Sequence, residues 1–163
     1  MSTIISGLSE WLKGSKTLVI LGVGNPMRGD DSLGLEIIKR LKNKVSKNIK
    51  LIECGSVPEN YTSKIKRFNP THVLIIDAIH ANIEPGAVYI TALENIDESF
   101  TLTHTLSLCF LSKYLEKTLN VKTLLLGVQV EDLSLGSGLS NKIRKTINDV
   151  SDILMEIFNE TFK

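Results

Sequence analysis

Two hydrophobic periods alternate along this chain, and their order predicts its architecture. Thr17–Val23 is an unbroken apolar run rich in β-branched residues and closed by glycine, the pattern of a strand covered on both faces. From Asp31 to about Val45, Ile37, Ile38, Leu41 and Val45 recur at helical spacing with lysines and Arg40 between them, which predicts a helix with one wet face. Ile49–Glu53 predicts the next strand, Pro58–Phe68 a helix with proline in its first turn, and His72–Asp77 another buried strand. This β-α-β-α-β order predicts a mostly parallel sheet with helices on both faces, joined by right-handed crossovers.

The second half departs from strict alternation. Ala87–Thr91 follows Asp77 across a short loop containing Pro85-Gly86, too short for a parallel crossover of about a dozen residues. That strand is predicted to be antiparallel. A loop, Ala92–Thr103, leads to a helix from about His104 to Leu119 with Leu108, Leu111, Leu115 and Leu119 as its inward stripe and Thr103 or Thr101 as N-cap. Val121–Val128 closes the sheet, and Ser140–Phe158 supplies an amphipathic final helix. Met1–Lys16 carries Ile4, Ile5, Leu8, Trp11 and Leu12 at helical spacing, without the basic start and continuous apolar stretch of a signal peptide. The expected organisation is one domain over 1–163, with 1–16 a short helical extension packed on it.

Composition narrows the partners. Nineteen basic and eighteen acidic side chains leave a net charge of +1, too little field to favour nucleic acid or a membrane surface. The basic clusters around Lys39-Arg40, Lys64-Lys66-Arg67 and Lys142-Arg144-Lys145 alternate with apolar residues, as solvated helix faces do. No run approaches the roughly 20 apolar residues that cross a bilayer. Cys54 and Cys109 form no C-x-x-C pair, so a reducing, cytoplasmic setting is expected, with each thiol filling a small buried space.

The chemistry concentrates where the first strand runs into GVGNPMRGDDSLG, Gly22–Gly34. Its opening glycines invite a dinucleotide-binding reading, with pyrophosphate at the helix N-terminus and Glu53 on a ribose. Met27 at the third glycine position, the length of the turn, and two aspartates where phosphate would approach all oppose it. Asp30 is expected to cap the helix and Asp31 to look into the cleft. Asp77 should stand at the carboxyl end of its strand, and His104 on the inward side of a helix that starts at the same edge. Two carboxylates and an imidazole suit a borderline divalent ion such as nickel or zinc, with room for water or substrate. Gly24, Asn25 and Gly29 would shape the cleft, Asn25 either orienting a ligand or bonding its own loop. No Ser-His-Asp set, H-E-x-x-H helix, P-loop or G-x-S-x-G elbow offers another common hydrolytic chemistry.

GVGNPMRGDDSLG, LIIDA around Asp77 and THTLSL around His104, together with Cys54–Asn60 and Gly127-Val128-Gln129 followed by Leu139-Ser140, resemble the hydrogenase maturation endopeptidases from about Thr17 to Ile147. The resemblance implies an α/β fold, a three-layer α/β/α sandwich around a five-stranded mixed, mostly parallel sheet with one antiparallel strand. It further implies an enzyme that removes the C-terminal tail of a nickel-iron hydrogenase large-subunit precursor once nickel is inserted, with Asp31, Asp77 and His104 as both metal-ligating and catalytic positions. Nickel would be supplied by the substrate, although zinc or cadmium could occupy such a site in vitro, and the enzyme would act as a monomer. Val57-Pro58-Glu59-Asn60 resembles the subgroup serving formate-hydrogenlyase-type hydrogenases. Ser32 and Val130 depart from the family pattern, which often has glycine and proline there. The rival reading is a nonenzymatic Rossmann-like nucleotide-binding or regulatory module on the same sheet.

Overall fold

In chain order the elements are α1 (Ser2–Trp11), β1 (Leu18–Val23), α2 (Leu33–Leu41), β2 (Ile49–Gly55), α3 (Thr62–Arg67), β3 (His72–His80), β4 (Val88–Thr91), β5 (Thr101–Leu102), α4 (Thr105–Leu119), β6 (Lys122–Gln129) and α5 (Asn141–Thr161). The computed structural model describes residues 1–96, 101, 102 and 104–163. The predicted cap of α4, Thr103 or the side chain of Thr101, lies outside what is described.

The sheet order is β2-β1-β3-β6-β4. β1 pairs in parallel with β2 and β3, β3 in parallel with β6, and β4 runs antiparallel to β6 from Val88↔Val128 to Thr91↔Leu125. This is the expected five-stranded mixed sheet. To it the structure adds the two-residue β5, antiparallel to the end of β3 at Ile79↔Leu102, within the stretch expected to be loop only. Every position of β1 is buried, as is every position of β3 before His80, which accounts for their unbroken apolar sequence.

Successive side chains point to opposite faces of a strand, and the core divides accordingly. Leu18, Ile20, Leu74 and Ile76 pack with α1, α2 and α5, through residues such as Leu8, Ile37, Val150 and Leu154. Val19, Leu21, Val73 and Ile75 pack with α3 and α4, through Ile65, Leu108, Leu111 and Leu115. Full burial of each such aliphatic side chain contributes roughly 1.5–3 kcal/mol relative to exposure, so both outer layers are held by their inward stripes. Ser140 caps α5, its Oγ accepting from Ile143 N–H at 3.4 Å.

Three boundaries differ from the expectation. β3 does not stop at Asp77, because Ala78 and Ile79 are buried and continue the ladder opposite Val128 and Gln129. Asp77 therefore sits inside the strand, opposite Gly127. The helix expected from Asp31 to Val45 begins as a 3₁₀ turn at Gly29–Ser32 and ends at Leu41, followed by Asn43 at φ +64°. Likewise the helix expected over Pro58–Phe68 is a 3₁₀ turn, Pro58–Tyr61, running into α3. Among the described residues no helix is long and apolar enough to cross a membrane.

Candidate active site

The turn after β1 is built by glycine and by one short side chain. Gly24 has φ +148°, and a Cβ there would overlap the carbonyl oxygen of Asp31, so only glycine lets the chain fold back this closely. Asn25 Oδ1 accepts from Met27 N–H at 2.9 Å, so its side chain serves its own loop. Its backbone N–H instead donates to Asp31 Oδ2 at 3.1 Å. Gly29, at φ +53°, lies against the loop after β6, where a Cβ would stand 2.5 Å from the carbonyl oxygen of Asp132.

Asp30 corrects an expectation. It does not cap its own helix; its fully buried carboxylate accepts from the N–H groups of Glu131, Asp132 and Ser140 at 3.0, 2.9 and 2.7 Å and from Ser140 Oγ at 3.0 Å. The reason is the 3₁₀ turn, in which Asp30 N–H is itself committed to the carbonyl of Asp132 at 2.9 Å and the side chain faces the otherwise unpaired amides of that loop.

Asp31, Asp77 and His104 converge. One ligand atom from each lies within 4.8 Å of the others, and among the described residues no other group of three potential ligands does so. Asp31 and Asp77 are fully buried. Asp77 projects from the α4 face of the sheet, its Oδ1 fixed by Ala78 N–H at 2.9 Å. His104 occupies the N-cap position of α4 rather than its inward stripe, at φ −125° and ψ +33°, and its side chain is 12% exposed. Its Nδ1 lies 3.5 Å from Asp77 Oδ2, too far for a strong hydrogen bond.

Electrostatics and unpaired atoms both set these three side chains apart. Burial pushes the Asp77 carboxyl above the usual carboxylate range, the charge of Asp31 adds to this, and His104 offsets part of it. Asp77 first, then Asp31 and Glu59, hold the His104 imidazole above its ordinary value against the opposing effect of burial. Asp31 Oδ1, Asp77 Oδ2 and His104 Nδ1 are buried without a hydrogen-bond partner. A buried polar atom left so costs about 1–3 kcal/mol, more when charged, and the three residues, which bring one ligand atom each within 4.8 Å of the others, are a group that could hold a divalent cation.

Other candidates fall away. Glu53 is exposed, and buried Asp30 and Asp31 fill the turn where a pyrophosphate would approach. Burial raises the Cys54 thiol to about 12, which leaves it unreactive. Two residues that carry part of the family resemblance have contacts the sequence reading did not assign. Glu59 bears on His104 electrostatically from the turn before α3. Gln129 ties the end of β3 by accepting from Ala81 N–H at 2.8 Å and donating to the carbonyl of Val130 at 3.0 Å. Both roles arise from contacts across the fold, and the only signal was an acid beside Pro58 and a glutamine closing a buried strand.

Residues 35–157 match the hydrogenase maturation protease family described as HycI. A relative in Methanocaldococcus jannaschii is 34% identical over 161 residues, spanning 94% of this chain and 95% of that one. The hydrogenase 3 maturation protease of Escherichia coli is 30% identical over 135 residues, 82% of this chain and 86% of its own. The crystal structure of a [NiFe] hydrogenase maturation protease, HycI, from Thermococcus kodakarensis superposes with a TM-score of 0.86 at 31% identity, covering 94% of this chain and 99% of that one. On these matches in sequence and fold, this chain belongs to the hydrogenase maturation protease family and is a peptide-bond hydrolase acting in hydrogenase maturation.

Proposed function

We propose that this enzyme removes the C-terminal tail of a nickel-iron hydrogenase large-subunit precursor, working as a cytoplasmic monomer, and that it recognises its substrate by the nickel the precursor already carries. The observation that carries this reading is the trio of unpaired, buried donor atoms on Asp31, Asp77 and His104. Nickel arriving with the substrate would satisfy all three. A precursor without the ion would leave two carboxylates and an imidazole uncompensated, so binding itself tests whether loading is complete.

The chain's own groups have separable tasks. Asn25 N–H holds one oxygen of Asp31 and leaves the other free to ligate; Ala78 N–H does the same for Asp77. His104 must give up its proton to bind a cation, and its place at the N-cap of α4 sets the ring 3.5 Å from Asp77. Substrate nickel would polarise the adjacent carbonyl and acidify a nearby water, roles that contribute several kcal/mol to transition-state stabilisation. Zinc or cadmium suits the same donors in vitro.

The test is to incubate the protein with a large-subunit precursor, with and without nickel, and to measure the mass of the product. Loss of a C-terminal peptide only from the nickel-loaded form is expected. Equal cleavage of both forms rejects recognition through nickel, and an unchanged mass in both rejects cleavage of this substrate.

A further inference from the structure

α4 is apolar on two sides. Leu108, Leu111 and Leu115 face the core, while Leu106, Phe110 and Tyr114, four residues apart along the opposite side, are 76%, 72% and 41% exposed. The outward residues of α2 and α3 are instead charged, Lys39, Arg40, Lys64, Lys66 and Arg67 among them. Three large exposed apolar side chains in line along one helix mark a contact site.

This stripe forms one wall of a groove of about 420 Å³, closed on the other side by Glu59 and Thr62, a volume within the range of roughly 300–1,000 Å³ typical of ligand-holding clefts. The groove begins close in sequence to the trio, two residues beyond His104. It opens at Leu106 and Ser107, within the first turn after His104, and Glu59, which faces Ser107 Oγ at 3.4 Å, is the same carboxylate that bears on the His104 imidazole. At its far end Lys66 lies 4.7 Å from the centre of the Tyr114 ring and hydrogen-bonds its hydroxyl. From Leu106 to Tyr114 the helix advances about 12 Å, the reach of about four residues of extended peptide.

We propose that this groove is the specificity subsite for the precursor's C-terminal tail: it takes a short apolar segment lying just beyond the scissile bond. The inference rests on the proposed function, because a peptide bond placed beside His104 sends the departing chain along α4. The body of the hydrogenase subunit, anchored by its nickel, meets the rim of the sheet; the tail alone is thin enough for the groove. Discrimination among precursors then comes from the match between tail side chains and the Leu106–Phe110–Tyr114 wall, while nickel reports only that the precursor is loaded.

The experiment compares the wild type with the double variant Leu106→Ser, Phe110→Ser, whose exposed positions leave the core untouched, and with Phe110→Leu, which keeps the wall apolar. Affinity is measured for the nickel-loaded precursor before cleavage sets in and for the nickel-loaded subunit lacking its tail, alongside cleavage of the loaded precursor and size-exclusion chromatography. The double variant should bind the full precursor at least tenfold more weakly, bind the tail-less subunit as the wild type does, and show a raised KM with kcat largely kept. Phe110→Leu should stay within about threefold of the wild type. Unchanged affinity for the full precursor overturns the proposal. So does an equal loss for both forms, which assigns the stripe to the body of the subunit, or a dimer that only the double variant dissolves, which assigns it to a second copy of this chain. Binding by the wild type without cleavage rejects the proposed peptidase substrate while the two affinities still decide the groove.

Discussion

At the scale of single residues, the site trades stability for chemistry. Asp77 carries a carboxylate on a strand otherwise buried and apolar, and its proton affinity is raised chiefly by that burial. Between the ordinary carboxylate value and the raised one, the folded protein holds a proton that the unfolded chain has lost, so stability falls as pH rises through that window. Asp77→Asn lacks this fall. The variant should therefore melt above the wild type in the presence of chelator, by a margin that widens as pH rises above the ordinary carboxylate value of about 4, while losing at least ~100-fold in processing rate, about 2.7 kcal/mol of transition-state stabilisation. Thermal melts of both proteins across that range check the first part; a margin independent of pH would show that Asp77 titrates alike folded and unfolded. That Asp31, Asp77 and His104 would meet was legible, since each stands where an apolar strand or helix reaches the same edge of the sheet, and the structure brings one ligand atom of each within 4.8 Å of the others. The role of Asp30 was not, because its partners lie about 100 residues further along the chain.

At the scale of elements, hydrophobic period located every long helix and strand to within a few residues, because each buries one face or both. Period could not show where pairing outlasts the apolar run, which is why β3 extends past Asp77, nor that two helices begin as 3₁₀ turns. It also missed β5, two residues long and defined only by what it pairs with. The loop between β6 and α5 is a clearer case of stability held by one side chain. Asp30 accepts three of its backbone amides and one hydroxyl, so Asp30→Ala would leave part-buried N–H groups without their acceptor and a cavity where a fully buried carboxylate stood. A loss of about 3 kcal/mol is expected, read as a lowered midpoint in urea at unchanged slope, with hydrogen exchange accelerated most at Asp132 and Ser140 while the amides of β1 speed up only as far as global stability falls. Uniform acceleration across the chain would instead mean that Asp30 holds the whole fold and not this loop.

At the scale of the whole molecule, what the sequence left open was strand order. Nothing in the apolar pattern states that β1 and β3 are neighbours, yet their parallel register is what brings the Asp31 turn beside Asp77. The opposite end of the same two strands holds the N-terminal helix. His72, at the start of β3, is 3% exposed and meets the Trp11 ring edge-on, with centroids 4.9 Å apart. Its Nδ1 lies 3.0 Å from Thr71 Oγ1, and its Nε2 has no partner. Burial, with the charge of Lys122, holds its imidazole below the ordinary histidine value, against a weaker opposite pull from the Trp11 backbone. In the window between the lowered folded value and the ordinary one near 6.5, the unfolded chain binds a proton that the folded protein refuses. Stability must then fall as pH drops through that window and level off below it. His104, whose imidazole is shifted the other way, opposes this in the total, so the contribution of His72 is isolated only as a difference. The difference in Tm between His72→Leu and the wild type should grow more positive from pH 7.5 to pH 5, with Trp11 fluorescence reporting whether α1 leaves the sheet. A difference that stays constant across those conditions would mean that the histidine is as free to protonate in the folded protein as in the unfolded chain, and that the contact with Trp11 is not sensitive to acid.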